Sequence, residues 1–208
     1  MPASNLMSMN SEQQGWIFSQ FNGTTFQPNS MDVQHEPLYD EVVFAAAATI
    51  TNLTQFFTAP AGKTLAQTNV TTAKRLDAPE AFAAMGIRFR VRESILLADL
   101  VAIMDGNTGF CLEFWIGQKE YNRAPLWFYN AGGGISGFSN ISTDHALTNG
   151  RTGRPDGHVL AINIVIDNQA SFFGQLVGTP VVLTSADNGG TGAALMMLLD
   201  GLHARGVQ

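Results

Sequence analysis

Residues 87–92 read IRFRVR, and this short stretch decides the fold class. Apolar Ile87, Phe89 and Val91 alternate strictly with basic residues. The alternating basic residues are Arg88, Arg90 and Arg92. Because successive side chains of a strand point to opposite faces, the pattern predicts a half-buried β-strand. Its arginine face is either solvated or in polar contact with a neighbouring subunit or another acidic surface.

Two further elements are predicted directly after this strand. Ser94 precedes the apolar run ILLADLVAIM, and Gly106 follows it, which predicts a short capped helix. Residues 110–116 (FCLEFWI) read as a strand and 117–119 as a turn, so residues 110–123 are predicted to form a hairpin.

The last third of the chain is a series of short apolar runs separated by Gly, Asn or Pro. The predicted strands are residues 159–166, 171–177, 181–184 and 193–199. Serial short strands with glycine-rich turns indicate an all-β sandwich or barrel.

The N-terminal part is less regular. Residues 41–51 (EVVFAAAATIT) fit a helix or a buried strand, and the β-branched residues at both ends favour the strand. Residues 52–80 carry turn signals. Residues 1–40 are polar with scattered aromatics, typical of an extended arm that docks on something or of a partly ordered tail. The expected organisation is an arm over residues 1–40 and a β-domain over residues 41–208.

Charge is scarce and unevenly distributed. Charged residues make up 13% of the chain, against about 25% in typical globular proteins, so part of the surface is expected to be covered by partners. The net charge is −6, and no Lys or Arg precedes Lys63. A basic arm for binding nucleic acid directly is therefore not expected.

The sequence also bears on the compartment. Cys111 is the only cysteine, which fits synthesis in a reducing cytoplasm. The N-terminal residues lack the charged and apolar regions of a signal peptide. The longest apolar stretch, residues 95–104, is too short to cross a bilayer.

Motifs for nucleotide binding fail on spacing or context. Gly62-Lys63-Thr64 resembles a phosphate-binding loop, but Phe57 stands where that loop needs a glycine. Residues 132–137 spell G-x-G-x-x-G, but no helix pattern follows to hold a pyrophosphate. Residues 187–190 (DNGG) favour a turn over a calcium site.

Candidate catalytic and binding side chains also lack the pattern that a site would need. The histidines are scattered and lack metal-ligand spacing; they are His35, His145, His158 and His203. No G-x-S-x-G elbow occurs, and Cys111 is predicted to be an inert core thiol. A set of aromatics fits the core better than a sugar site: Trp115, Trp127, Phe128 and Tyr129. The sequence predicts no catalytic residue, no cofactor and no metal site.

The order of several motifs resembles that of jelly-roll capsid proteins of tailless icosahedral bacteriophages, which often enclose a membrane. The motifs are residues 112–121 (LEFWIGQKEY), 124–127 (APLW), 131–134 (AGGG), 162–166 (INIVI), 168–172 (NQASF) and 198–202 (LLDGL), followed by Arg205 and residues 207–208. The resemblance covers roughly residues 42–208.

This resemblance implies a single jelly roll of two antiparallel sheets, with one short helix inserted and an extended N-terminal arm. It implies a viral structural protein that self-assembles in many copies into an icosahedral shell and resides in the virion. Other capsid or spike proteins, and an internal membrane surface, are expected partners. The missing basic arm departs from many capsid proteins and suggests that a membrane or another protein separates shell and genome.

Two other functions compete with this one. The first alternative is a jelly-roll binding module, such as a lectin-like or receptor-binding spike or fibre domain. An enzyme on a β-sandwich ranks below both, because no motif supports it.

Overall fold

The computed structural model describes residues 11–21, 31–91, 95–104, 109–129, 159–168, 170–184 and 193–206. Within these ranges lie helices α1 (Ser11–Gln20) and α2 (Leu97–Met104), a 3-10 helix (Leu126–Tyr129), and strands β1 (Met31–His35), β2 (Leu38–Phe44), β3 (Thr49–Ile50), β4 (Gln55–Phe56), β5 (Ala81–Val91), β6 (Phe110–Ile116), β7 (Lys119–Pro125), β8 (Val159–Asp167), β9 (Phe172–Gly178), β10 (Val181–Val182) and β11 (Ala193–Gly206).

The strands form two main antiparallel sheets. The larger sheet has the order β1-β11-β5-β8, with β2 also pairing with β11, and the smaller sheet has the order β4-β9-β6-β7. The pairs β2–β11, β4–β9, β5–β8 and β6–β7 are nested in the sequence, the outermost pair enclosing the next. This nested wrapping is the topology of a jelly roll. The all-β, jelly-roll sandwich expected from the sequence is confirmed.

The main core lies between the inner faces of the two sheets. Phe89 of β5 meets Phe56 of β4 edge to face, with ring centroids 5.9 Å apart. The ring centroids of Phe57 and Phe172 lie 5.3 Å apart. Such offset aromatic contacts stabilise the sandwich beyond the burial of apolar area alone.

Strand β5 confirms the alternation that predicted it. Ile87, Phe89 and Val91 are buried in the main core, while Arg88 and Arg90 face outward. Arg92 and Ser94 lie outside the described residues, and helix α2 begins at Leu97.

A β-bulge that the sequence did not predict lies at Met85, just before this alternating stretch. Gly86 pairs with Asp200 and Ala84 with Gly201, so Met85 is an extra residue on β5. A bulge reverses which side chains face inward. Before it, Ala81 and Ala83 therefore face outward, away from the main core.

The arm contributes to the folded domain. Ile17 and Phe21 pack on the outer face of the larger sheet, against a second apolar cluster. This cluster contains Met31, Val33, Ala81, Ala83 and Ala204. Strand pairing begins at Met31, within the segment that the sequence assigns to the arm. Alternate residues of β1, Met31 and Val33, belong to this second cluster.

Several strand boundaries differ from those predicted; β5 begins at Ala81, for example, and β10 ends at Val182. The strand predicted within residues 41–51 begins at Leu38 and ends at Phe44, and Ala45–Ala48 form a turn closed by a 3.1 Å backbone hydrogen bond. Strand β11 continues to Gly206 rather than ending at Leu199. Gly201 lies inside this strand. Glycine is needed there because a Cβ would lie 2.1 Å from the carbonyl oxygen of Ala83.

The hairpin predicted over residues 110–123 is confirmed, with β7 extending to Pro125. The helix predicted before it is also present. Asp99 in the first turn of α2 accepts hydrogen bonds from Thr184, at 3.0 Å from the backbone nitrogen and 2.7 Å from the hydroxyl. These bonds fix the helix to the segment after β10.

Candidate functional site

The arginine stripe of β5 is engaged within the subunit at one position. The Arg88 guanidinium lies 2.6 Å from the carboxylate of Asp200, and His35 contacts the same carboxylate at 2.9 Å. Arg90 is exposed and lines a shallow depression with Glu41 and Met196. Arg88 is therefore neutralised by an acid of its own sheet, and Arg90 lies exposed on the same outer face.

His203 lies close to carboxylates, as the histidine of a catalytic triad does. Its ring lies between two carboxylates, 3.6 Å from Glu36 and 3.5 Å from Glu80. The nearby Thr71 hydroxyl donates a hydrogen bond to Asp77 instead. These described residues therefore form no Ser-His-Asp arrangement, which requires a hydroxyl bonded to the imidazole. His145 and His158 lie outside the described residues.

Metal ligation has no support in the part of the chain that the structure describes. No three or more His, Cys, Asp or Glu side chains there are arranged to hold a metal ion. The residues 187–190 considered for calcium, and the glycine loop at 132–137, fall outside that part.

Lys63 of the sequence Gly62-Lys63-Thr64, which resembles a phosphate-binding loop, has a structural role. Lys63 Nζ lies 2.7 Å from the carboxylate of buried Asp40, whose other oxygen accepts the backbone N–H of Phe57. The lysine charge is therefore committed to an internal ion pair and unavailable to a phosphate.

Cys111 and the aromatic residues divide between core and surface. Cys111 is only half-buried and faces away from the core, because it alternates with buried Phe110 and Leu112, so its prediction as a core thiol was wrong. Tyr129 is in the core as predicted, and burial raises the pKa of its hydroxyl.

The other three aromatics contradict the core prediction. Trp115 is half-buried and stacks on Phe173 on the outer face of the smaller sheet. Trp127 and Phe128 are 51% and 43% exposed, because consecutive residues of a 3-10 helix cannot all face inward.

The most distinctive surface feature is the outer edge of β8. This strand pairs with β5 on one side and with no other strand among the described residues. No charged side chain occurs from Val159 to Ile166. Val159 is 66% exposed and Ile162 is 84% exposed. We call Val159–Ile166 the β8 edge.

Strands β7 and β2 are protected in ways that the described residues do not provide along the β8 edge, where Asn163 donates a hydrogen bond to Gln20 of α1. Strand β7, at the edge of the smaller sheet, carries Lys119, Glu120 and Arg123. Strand β2 is covered by the following loop, where the Glu41 N–H donates to the Gln67 carbonyl at 2.8 Å. Natural proteins block free strand edges with charges or covering segments. The neutral, apolar β8 edge is therefore a candidate contact surface.

Comparison with known proteins gives no independent guide to function, since no family model, curated protein or solved structure matches the chain. Within the described ranges, no helix is long and apolar enough to cross a membrane.

Proposed function

We propose that this chain is a viral structural protein, a capsid subunit that self-assembles into an icosahedral shell. The observation that carries the proposal is the neutral, apolar β8 edge of a jelly roll. The low charge of the whole chain, 13% of residues, supports it, because surface that is covered on assembly does not need charge to stay soluble. The jelly roll is a fold that viral capsid domains use, which supports the proposal by analogy.

The β8 edge suits side-chain contacts better than continuous strand addition. The pairing of β5 with β8 is irregular between Ala84 and Gly86, opposite the part of β8 that contains Ile162. A bulged edge resists long ladder pairing. Ile162 and Val159 would instead be buried against a neighbouring subunit, each contributing about 1.5–3 kcal/mol.

The proposed partners follow from the same surface properties. Copies of the chain would provide the main contacts, with other capsid or spike proteins at special positions of the shell. The negative charge and the missing basic arm favour a membrane or another protein, rather than the genome, beneath the shell. The proposed location is the virion, with synthesis in the host cytoplasm.

Substitution of Ile162 by lysine tests the proposal. Loss of about 2 kcal/mol per contact corresponds to roughly 30-fold weaker association of two subunits. Sedimentation velocity over a concentration series is expected to show a large shift toward monomer. Leu65, which is 81% exposed between β4 and β5, gives the matched control. Leu65→Lys changes the same kind of side chain and is expected to assemble like the unmodified protein. Equal assembly of the Ile162→Lys variant would refute a role for this edge.

A jelly-roll binding module remains the second candidate, and exposed Trp127 and Phe128 favour it. Their rings are nearly perpendicular, with an interplanar angle of 89°. Binding to a glycan array that is lost on Trp127→Ala, in a protein that stays monomeric, would favour this function over the shell.

A further inference from the structure

Helix α2 directs its charged residue inward and apolar residues outward. Its sequence, LADLVAIM, contains one charged residue, Asp99, which is buried and accepts hydrogen bonds from Thr184. Ala98 and Val101 lie on the solvent side of the helix, and Val101 is 52% exposed. A surface helix normally presents its charged residues to water and its apolar residues to the core. The outer side of α2 therefore has the composition of a surface that another molecule covers.

The apolar surface continues onto the two elements that α2 contacts, which are β10 and the 3-10 helix. Neither element contains a charged residue. Val182 of β10 is 67% exposed, and Trp127 and Phe128 of the 3-10 helix are exposed as well. We call these three elements together the α2 end, which consists of Leu97–Met104, Leu126–Tyr129 and Val181–Val182.

The chemistry of the α2 end favours a protein partner over a membrane or a nucleic acid. Helices that lie on a membrane surface carry lysine or arginine on their polar side, and the α2 end contains neither. Nucleic acids bind to cations that neutralise their phosphates, and the α2 end has none to offer. Exposed aromatic rings beside aliphatic side chains are instead typical of the centre of protein–protein interfaces.

The β8 edge of a second copy has the properties that this surface requires. No charged side chain occurs from Val159 to Ile166, so a contact between the two surfaces would bury no unpaired charge. A specific interface buries about 800 Å² on each partner. Two β8 edges facing each other would provide mainly aliphatic side chains, whereas each aromatic ring of the α2 end can bury roughly 150–250 Å². The area that is needed therefore favours a β8 edge against an α2 end.

The symmetry of assembly favours the same pairing. A surface that pairs with itself about a two-fold axis gives a dimer, and that contact alone allows no further growth. A contact between two different surfaces joins successive copies head to tail and closes into a ring when the rotation allows it. The β8 edge and the α2 end are formed by different strands and helices, so one subunit can use both at the same time.

We propose that the β8 edge of one subunit packs against the α2 end of the next, in a head-to-tail contact between copies of this chain. In this contact Ile162 of the first subunit is buried against the exposed aliphatic and aromatic side chains of the second. The inference rests on the proposed shell function, because it names the surface that covers the β8 edge.

Lysine substitutions on each surface test the contact separately. Val101→Lys disrupts the α2 end and leaves the β8 edge intact, while Ile162→Lys does the reverse. Each variant alone is expected to associate roughly 30-fold more weakly than the unmodified chain in sedimentation velocity. Val182→Lys changes a second element of the α2 end and is expected to have the same effect. Leu65→Lys is again the control, and far-UV circular dichroism establishes that every variant is folded.

An equimolar mixture of Ile162→Lys and Val101→Lys distinguishes head-to-tail contact from self-pairing. The intact β8 edge of the Val101→Lys chain can bind the intact α2 end of the Ile162→Lys chain, and the lysines on the two outer surfaces stop further growth. A 1:1 dimer is therefore expected in the mixture, and not in either variant alone, at concentrations at which the unmodified chain assembles. The absence of a complex in the mixture would overturn the proposal.

The same measurements separate failure of this contact from failure of the shell function. Assembly of Val101→Lys and Val182→Lys equal to that of the unmodified chain would overturn the contact and leave the shell proposal standing. An unmodified chain that stays monomeric at every concentration would contradict the shell proposal, and the contact with it.

Discussion

Replacing Phe89 with alanine removes a large side chain from the centre of the sandwich. Phe89 is 1% exposed, contacts Phe56 edge to face, and pairs with Met197 on β11. Truncation of a buried phenylalanine to alanine typically costs about 3–5 kcal/mol. For a domain of this size each kcal/mol lowers Tm by about 2–4 °C, so a loss of roughly 6–20 °C is expected. Thermal unfolding followed by circular dichroism measures it.

The neighbouring Arg90 provides the control, because it lies on the opposite face of the same strand. Arg90→Ala is expected to change stability by about 0.5 kcal/mol or less, as is usual for exposed positions. Phe89→Asp should prevent folding, since it places a charge in the core without a partner. The two faces of β5 would be shown to be reversed if Phe89→Ala had the same Tm as the unmodified protein while Arg90→Ala was strongly destabilised.

Two further predictions concern β11 and a surface carboxylate. Gly201→Ala is expected to destabilise the protein strongly in urea unfolding, because the new Cβ would collide with the Ala83 carbonyl 2.1 Å away; unchanged stability would contradict the close pairing. Hydrogen bonds from Thr71 and then Thr72 hold the pKa of Asp77 below its ordinary value. The stability that these hydrogen bonds contribute is therefore present above the unfolded-state pKa of about 3.9, and it is lost as pH falls through the lower folded-state pKa. A Thr71→Val variant should show a smaller loss of stability on acidification to that range, and an identical pH profile would contradict this reasoning.

The regular elements could be predicted because local pattern and tertiary structure agree. The alternation at residues 87–92 and the turn at 117–119 each specify their strands without help from distant residues. The bulge at Met85 could not be predicted in this way. Residues 81–85 (AFAAM) are all apolar and show no alternation, so Gly86 is the only local bulge signal.

Other features depend on contacts that no local pattern encodes. Gly201 resembles a strand terminator, and only the approach of Ala83 explains why glycine is needed there within a longer strand. His203 lies between Glu36 and Glu80, which come from distant parts of the chain, so no motif spacing could predict this ion-paired group. Trp127 was predicted to lie in the core because aromatic residues in strands are more often buried, but the 3-10 geometry exposes it.

This jelly roll is proposed to assemble into a closed shell. Negative-stain electron microscopy of the purified chain, over a range of protein and salt concentrations, tests it most directly. Closed particles or rings of uniform size are expected, and they should become more frequent as protein concentration rises. A population that remains monomeric at every protein and salt concentration would contradict it.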